Sequence, residues 1–251
     1  MSPHLKTWHP LAFFVCNIAA ILLYSSWLYE PTRALWDGLD NGLFYILNGS
    51  LQIGETWQTI WALANHRTAD VVVAIVMIIF FWHFILTGGR RLIMERMVLF
   101  GLMAAMMLAT QEGLIDLYQQ IIDVTRKSPS LVLEPVYRLS ELVPDIKAKD
   151  ASGSSFPGDH GTVVFIWLGF IFTFASRKHG IAAVLLCVLI LLPRLVSGAH
   201  WITDNLVGSG TLVLLMMAWI VFSPAGYLLR LVGEKILGFI LPNSWQRVPK
   251  F

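Results

Sequence analysis

Two histidines stand 40 positions apart, each at the edge of a long apolar run. His160 lies in Ser155-Phe156-Pro157-Gly158-Asp159-His160-Gly161, and His200 in Gly198-Ala199-His200-Trp201-Ile202-Thr203-Asp204. His200 and Asp204 are four residues apart, so on a helix they share a face, one turn apart. A carboxylate placed there accepts the N–H of one imidazole nitrogen, fixes the tautomer and leaves the other lone pair free to attack. The blander reading of the pair is a polar cap on a helix start. Arg194 precedes His200 by six residues. A permanently charged fork at a membrane boundary is costly unless it holds an anion, and phosphate fits it best. His160 falls in the first turn of a predicted helix, where unpaired amides and partial positive charge attract phosphate. A histidine there can also give a proton to a departing oxygen. Gly158 and Asp159 share that turn, and Asp159 complements the helix dipole. Arg126 and Lys127 are expected to clamp phosphate from the same side, with Arg138 and Lys149 as further cations for a substrate. The pattern predicts phosphoryl transfer at a membrane face.

The elements that must position these groups read as membrane helices. Of 251 residues, 56% are hydrophobic and only 14% charged, against about 25% charged in soluble domains. The ten tryptophans suit a chain that meets lipid and water at two interfaces. Six spans of near 20 apolar residues are predicted, at about 11–29, 71–86, 97–117, 157–175, 181–199 and 201–222. Residues 30–70, broken by Pro31 and four glycines, read as short interfacial helices. Residues 116–156 form the longest polar segment, and 227–241 an amphipathic stretch stopped by Pro242. His66, Arg67 and Asp70 read as a local polar cluster at the start of the second span. The whole is one all-α integral membrane domain.

Six crossings put both termini on one side. That side takes ten of the 18 basic residues but only Glu95 and Glu234 of the 16 acidic ones. The positive-inside rule makes it cytoplasmic. The polar segment, His160 and His200 then face outward, into the periplasm if the cell has one. Cys16 and Cys187 sit inside apolar runs and read as buried small hydrophobes. No Cys/His cluster has metal-ligand spacing, and no glycine-rich loop has the spacing and lysine of a nucleotide site. Neither a metal, a cofactor nor a nucleic acid partner is expected.

Arg194, His200 and Asp204, with Pro157 and His160, resemble the second and third motifs of the phosphatidic acid phosphatase type 2 superfamily of membrane phosphatases and phosphotransferases. Pro193 stands where that family has serine, and Gly158-Asp159 replaces Ser-Gly. The first motif is poorly matched: Lys127 leads to Glu134-Pro135, and Arg126-Lys127-Ser128-Pro129 is its expected equivalent. These departures, with Arg138-Leu139-Ser140-Glu141-Leu142 and Lys149-Asp150-Ala151-Ser152, resemble one branch, the inner-membrane lipid A phosphotransferases. The resemblance implies a six-helix bundle and a reaction needing no metal. The donor would be undecaprenyl diphosphate and the acceptor the 1-phosphate of lipid A. His200 would attack the terminal phosphorus, oriented by Asp204, and His160 would protonate the leaving undecaprenyl phosphate. Arg194, Arg126 and Lys127 would stabilise the phosphohistidine. Asp159, a carboxylate where relatives have glycine, is expected to shape the preference for acceptor over water. The alternative is a plain lipid phosphatase acting on undecaprenyl diphosphate or phosphatidylglycerophosphate, with the same catalytic residues.

Overall fold

A computed structural model describes residues 8–87 and 90–240. Lys6, Gly88, Gly89, Pro242, Arg247 and Lys250, and the side chains of Arg90 and Arg91, lie outside the described residues. Apart from the polar segment, the chain is mostly helical, with no strand among the described residues. Helix α1 is Pro10–Leu28, α2 Glu30–Gly49, α3 Glu55–Ala64 and α4 Arg67–Thr87. Helix α5, Arg90–Ala109, runs through a π turn at Thr110–Leu114 into α6, Ile115–Ile122. A short α7, Leu139–Leu142, interrupts the polar segment. Then come α8, Asp159–Phe174, α9, Arg177–Val196, α10, Asp204–Phe222, and α11, Pro224–Ile240.

Among the described residues, five helical runs are long and apolar enough to cross a membrane: Pro10–Leu28, Arg67–Thr87, Leu92–Ile122, Arg177–Val196 and Asp204–Phe222. The fourth expected span, α8, is shorter at 16 residues, about 24 Å at 1.5 Å per residue. It is the inner helix. Ile166, Trp167, Phe170 and Ile171 are wholly buried, and it packs on α5, α9 and α10. A helix enclosed by its neighbours has no lipid-facing stripe to keep long. Outer α1 instead turns Phe14, Ile18, Ile21 and Leu22 outward, as a lipid-facing helix must once its backbone is satisfied internally.

Several predicted bounds move. The third span is a 31-residue run, Leu92–Ile122, bent where Gly113 adopts φ 121. Helix α9 starts at Arg177, four residues before the predicted bound at 181. Residues 30–70 do form helices, but not as a surface layer alone. From α2, Asp40 and Asn48 are almost fully buried. Asn48 accepts from the Tyr137 amide (2.8 Å) and donates to the carbonyls of Tyr137 (2.9 Å) and Val196 (3.1 Å). It thereby joins α2, the polar segment and the end of α9.

Successive crossings alternate in direction, so one end of the bundle gathers the end of α1, the starts of α4, α8 and α10, and the end of α9. The opposite end holds His9 and Phe222, joined by a backbone hydrogen bond of 3.0 Å. The polar segment folds over the first end. Its amides at Ser128, Ser130 and Ser155 donate to Ser152, Gly198 and Arg126 carbonyls. Asp150 accepts the Ser140 amide at 2.8 Å, and Arg138 donates to the Ser130 carbonyl.

Candidate active site

His200 sits in the seven-residue link, 197–203, between α9 and α10. Gly198 makes the link turn: its φ is 73, and a Cβ there would come within 2.9 Å of Phe44 and 3.1 Å of Ser130, so glycine is required on both counts. The link is held from two sides. Asp40 accepts from the Thr203 amide (3.1 Å) and hydroxyl (2.6 Å). Asp204 accepts the Trp201 amide at 2.8 Å, an acidic side chain reaching back over a helix start as in a capping box. The capping reading of Asp204 therefore holds together with a place beside His200.

The His200 ring is 5% exposed. Its Nδ1 lies 3.0 Å from the Ser155 carbonyl and 3.5 Å from Asp204 Oδ2. A carbonyl can only accept, so Nδ1 carries the proton. The nearer orienting group is thus Ser155, a residue no spacing in the sequence points to. Nε2 forms no hydrogen bond and lies 3.3 Å from Asp159 Oδ1. Burial alone would push this imidazole's pKa down, but the Asp159 and Asp204 carboxylates outweigh it and push it up to about 9.

His160 follows in the first turn of α8. Asp159 Oδ1 accepts both the His160 amide (2.8 Å) and Nδ1 (2.9 Å). Its Oδ2 lies 3.3 Å from Lys149 Nζ. One carboxylate oxygen therefore stands among the His160 amide, the His160 ring and His200 Nε2. A phosphoryl oxygen bound at this helix start would use the same donors. The Gly158 amide, expected to serve phosphate, does not: it donates to the Asp204 carbonyl at 3.0 Å, and the Gly158 carbonyl accepts from Ser209 and Thr162 at 2.8 Å each. Gly158 and Gly161 bring α8 and α10 together here, because a Cβ on either would meet Asn205 Oδ1 at 2.4 or 2.1 Å.

Arg194 is 4% exposed. Nη1 donates to the carbonyl (3.1 Å) and side-chain oxygen (2.9 Å) of Asn65, and Nη2 to Asp70 Oδ1 (2.7 Å). Nη2 is also 3.1 Å from His160 Nε2. Asn65 in turn donates to the Pro193 carbonyl at 2.8 Å, which fixes the last turn of α9. Asp70 is therefore not part of a local cluster with His66 and Arg67, as its sequence neighbours suggest; it faces Arg194 and His160.

Arg126 also differs from expectation. Nη2 donates to Asp40 (2.8 Å), Nη1 to the Thr203 hydroxyl (2.7 Å) and Asp204 (3.3 Å), and its guanidinium lies 4.2 Å from the Trp201 ring centroid. Its donors are taken by two buried carboxylates, so in this arrangement it braces the His200 link. Lys127 is exposed and meets the link through its carbonyl, which accepts from the Trp201 indole at 2.8 Å. Its ammonium joins no ion pair among the described residues. Arg138 is tied to the Ser130 carbonyl and Glu141. No group of three metal-ligating side chains occurs among the described residues.

Beside the histidines opens a cavity of about 930 Å³ between α4, α5, α8 and α9. Val73, Met77, Met107, Val163 and Leu189 line it, and Asp70, His160 and Arg194 stand at its polar wall. Its size and apolar lining are those of a small-molecule site, with the polar groups gathered at one wall.

The comparisons agree with this geometry. The PAP2 superfamily profile matches residues 124–226, which hold the polar segment, α8, α9 and α10. The Lipid A 1-diphosphate synthase of Escherichia coli (strain K12) is 35% identical over 211 residues, covering 83% of this chain and 86% of that protein. No solved structure matches the chain. The match spans most of both proteins and includes both histidine turns, so the chain is an all-α membrane enzyme of the phosphotransferase and phosphatase class and belongs to the PAP2 superfamily, on the branch that holds the lipid A 1-diphosphate synthase.

Proposed function

We propose that the enzyme transfers the terminal phosphate of undecaprenyl diphosphate to the 1-phosphate of lipid A at the periplasmic face of a bacterial inner membrane, with both termini cytoplasmic. The observation that carries this reading is His200 Nε2, an unbonded imidazole nitrogen 3.3 Å from an anionic oxygen. That oxygen is also held by the helix start and by His160. An incoming phosphate displaces Asp159 toward Lys149 and takes its place. Nε2 then attacks phosphorus while Ser155 and Asp204 hold the opposite nitrogen. The P–O bond to undecaprenyl phosphate breaks, supported by His160 as acid, and Arg194 offsets charge on the transferring group. The isoprenoid chain lies in the apolar cavity. The acceptor phosphate then attacks the phosphohistidine and restores His200.

The test uses undecaprenyl diphosphate labelled in its terminal phosphate. Without acceptor, wild type should acquire acid-labile, base-stable label that His200→Ala does not. Lipid A added afterwards should carry that label away as lipid A 1-diphosphate. Label leaving only as inorganic phosphate would identify a lipid phosphatase instead, and an equally labelled His200→Ala would rule out His200 as nucleophile.

A further inference from the structure

The turn between α3 and α4 is paired with the polar segment. His66 and Ala148 form an isolated antiparallel bridge, and the Lys149 amide donates to the Asn65 carbonyl at 3.3 Å. That register sets Asn65 opposite Lys149 and Arg67 opposite Lys147, with alternate residues sharing a face. The first pair shows where that face looks. The Asn65 side chain accepts from Arg194 at 2.9 Å, and Lys149 Nζ lies 3.3 Å from Asp159. Arg67 and Lys147 stand one register step further out, about 7 Å along the bridge. Helix spacing places Arg67 on the same side independently. It opens α4 three residues before Asp70, and residues three apart are neighbours on a helix surface. Asp70 meets Arg194 and His160.

Arg67 and Lys147 are both exposed, and neither joins an ion pair or a side-chain hydrogen bond among the described residues. Like charges set directly opposite repel, yet no carboxylate relieves this pair. Asp70 is held by Arg194, Asp159 by Lys149 and Asp150 by the Ser140 amide. Asp145, two residues before Lys147, pairs with neither cation. A planar fork beside an ammonium is a donor set suited to phosphate.

We infer that Arg67 and Lys147 bind a second phosphate on the acceptor's headgroup and so set acceptor specificity. The inference rests on the phosphotransfer reading above. The transferring phosphate occupies the place beside His160 and His200, and Lys149 is then engaged by Asp159. The donor has no further anion to offer, because beyond its diphosphate it is an isoprenoid chain. An acceptor with one phosphate at the attacking end and another elsewhere on its headgroup reaches both places. Water and singly charged lipids have nothing to put on the outer pair. Contact with the remote phosphate thus holds the acceptor beside the phosphohistidine. An anionic phospholipid headgroup has the same chemistry, and the experiment separates the two sources.

The purified full-length chain in neutral-detergent micelles receives terminally labelled undecaprenyl diphosphate and lipid A phosphorylated either at position 1 alone or at positions 1 and 4′. The quantity read is the ratio of kcat/KM for the doubly over the singly phosphorylated acceptor. In wild type it should be about 100, roughly tenfold for each charge-assisted hydrogen bond. Arg67→Ala and Lys147→Ala should each lower it about tenfold, the double variant should bring it near one, and Arg67→Lys should keep most of it. A merely structural role would slow both acceptors and leave the ratio alone. A double variant with the wild-type ratio overturns the inference and leaves the transferase reading intact. A wild-type ratio near one does the same without any variant. Variants that slow both acceptors alike, and only when phosphatidylglycerol is added, assign the pair to bilayer headgroups and overturn it as well. Wild type that transfers to neither acceptor overturns both readings.

Discussion

Gly161→Ala separates the two halves of the site without touching a catalytic atom. An alanine Cβ at 161 would lie 2.1 Å from Asn205 Oδ1, 2.9 Å from Asn205 Cγ and 2.8 Å from Ser209 Oγ, where ordinary contact begins at 3.4 Å. Asn205 is 2% exposed, so its side chain has no open space to swing into, and the contact between the starts of α8 and α10 must widen by about 1 Å. Gly161 adjoins His160 and Asn205 adjoins Asp204, so that displacement opens the gap between the general acid and the nucleophile. A misplacement of about 1 Å costs roughly 100-fold in rate, and overpacking of this kind costs about 1–3 kcal/mol in stability. In the labelled-donor assay, kcat for Gly161→Ala should fall about 100-fold with KM little changed, because the apolar cavity is untouched. Asn205→Ala removes two of the three colliding atoms, leaving Ser209 Oγ, and loses one hydrogen bond, to the Trp201 carbonyl at 3.3 Å. The double variant Gly161→Ala/Asn205→Ala should recover at least about tenfold, as contacting positions couple. A fully active single variant, or a double variant no faster than the single, would refute the claim that this close approach sets the distance between the histidines.

Other perturbations probe separate parts of the site. Asp40→Ala should lower unfolding stability in micelles by about 3 kcal/mol, because it breaks a buried pair and leaves Arg126 with Asp204; a change below about 1 kcal/mol would mean the pair does not hold the link. For His200, burial lowers and the Asp159 and Asp204 carboxylates raise the pKa, with a net rise from 6.5 to about 9. A folded pKa above the unfolded one means the imidazolium's contribution is fully present below about 6.5 and lost as pH passes about 9. The stability gap between wild type and His200→Gln should accordingly narrow over that window, as thermal unfolding would read. Attack needs the neutral ring, so kcat/KM should rise with pH up to about 9; a profile flat from pH 6 to 9 argues against His200 as the titrating nucleophile. Val163→Trp, one turn beyond His160 and facing the cavity, should raise KM for undecaprenyl diphosphate but spare a short-chain diphosphate. Equal losses on both would place the isoprenoid elsewhere.

The side chains proposed as catalytic were legible because their spacing is local. His200 and Asp204 are one turn apart, and His160 opens a helix whose apolar run is plain. The helices were legible for the same reason, and their errors fall where apolarity is a poor guide: α8 is shorter than a span because it is enclosed, and α9 starts earlier because Arg177 and Lys178 fit a helix end as well as a loop. What no spacing carried were the partners. Asp40, Asn65, Asp70 and Ser155 lie 163, 129, 124 and 45 positions from the residues they hold. Asp40 and Asp70 stand in stretches that look interfacial, where acids are usually solvated. One signal was available: a cation buried at a membrane boundary needs a counter-charge, so Arg126 and Arg194 each required an acid from elsewhere in the chain.

That requirement bears on the reading of the cations themselves. Arg194 and Arg126, expected as free phosphate clamps, are already paired with Asp70 and with Asp40 and Asp204. The two pairings differ in what a substrate can displace. Asp40 and Asp204 are wholly buried in their side chains, so Arg126 is locked by acids that cannot leave without exposing a charge to the interior. Asp70 and Asp159 keep side-chain exposures of 38% and 37%, and Asp159 already has Lys149 to turn to. Only the second pair can yield to an incoming anion at small cost. The phosphate position proposed above is therefore the one framed by Asp159, Asp70, Arg194 and the two histidines. On that reading Arg126 keeps the His200 link in register, and Arg126→Lys, which loses the fork that spans Asp40 and Asp204, should reduce kcat through His200 and leave affinity for the donor unchanged.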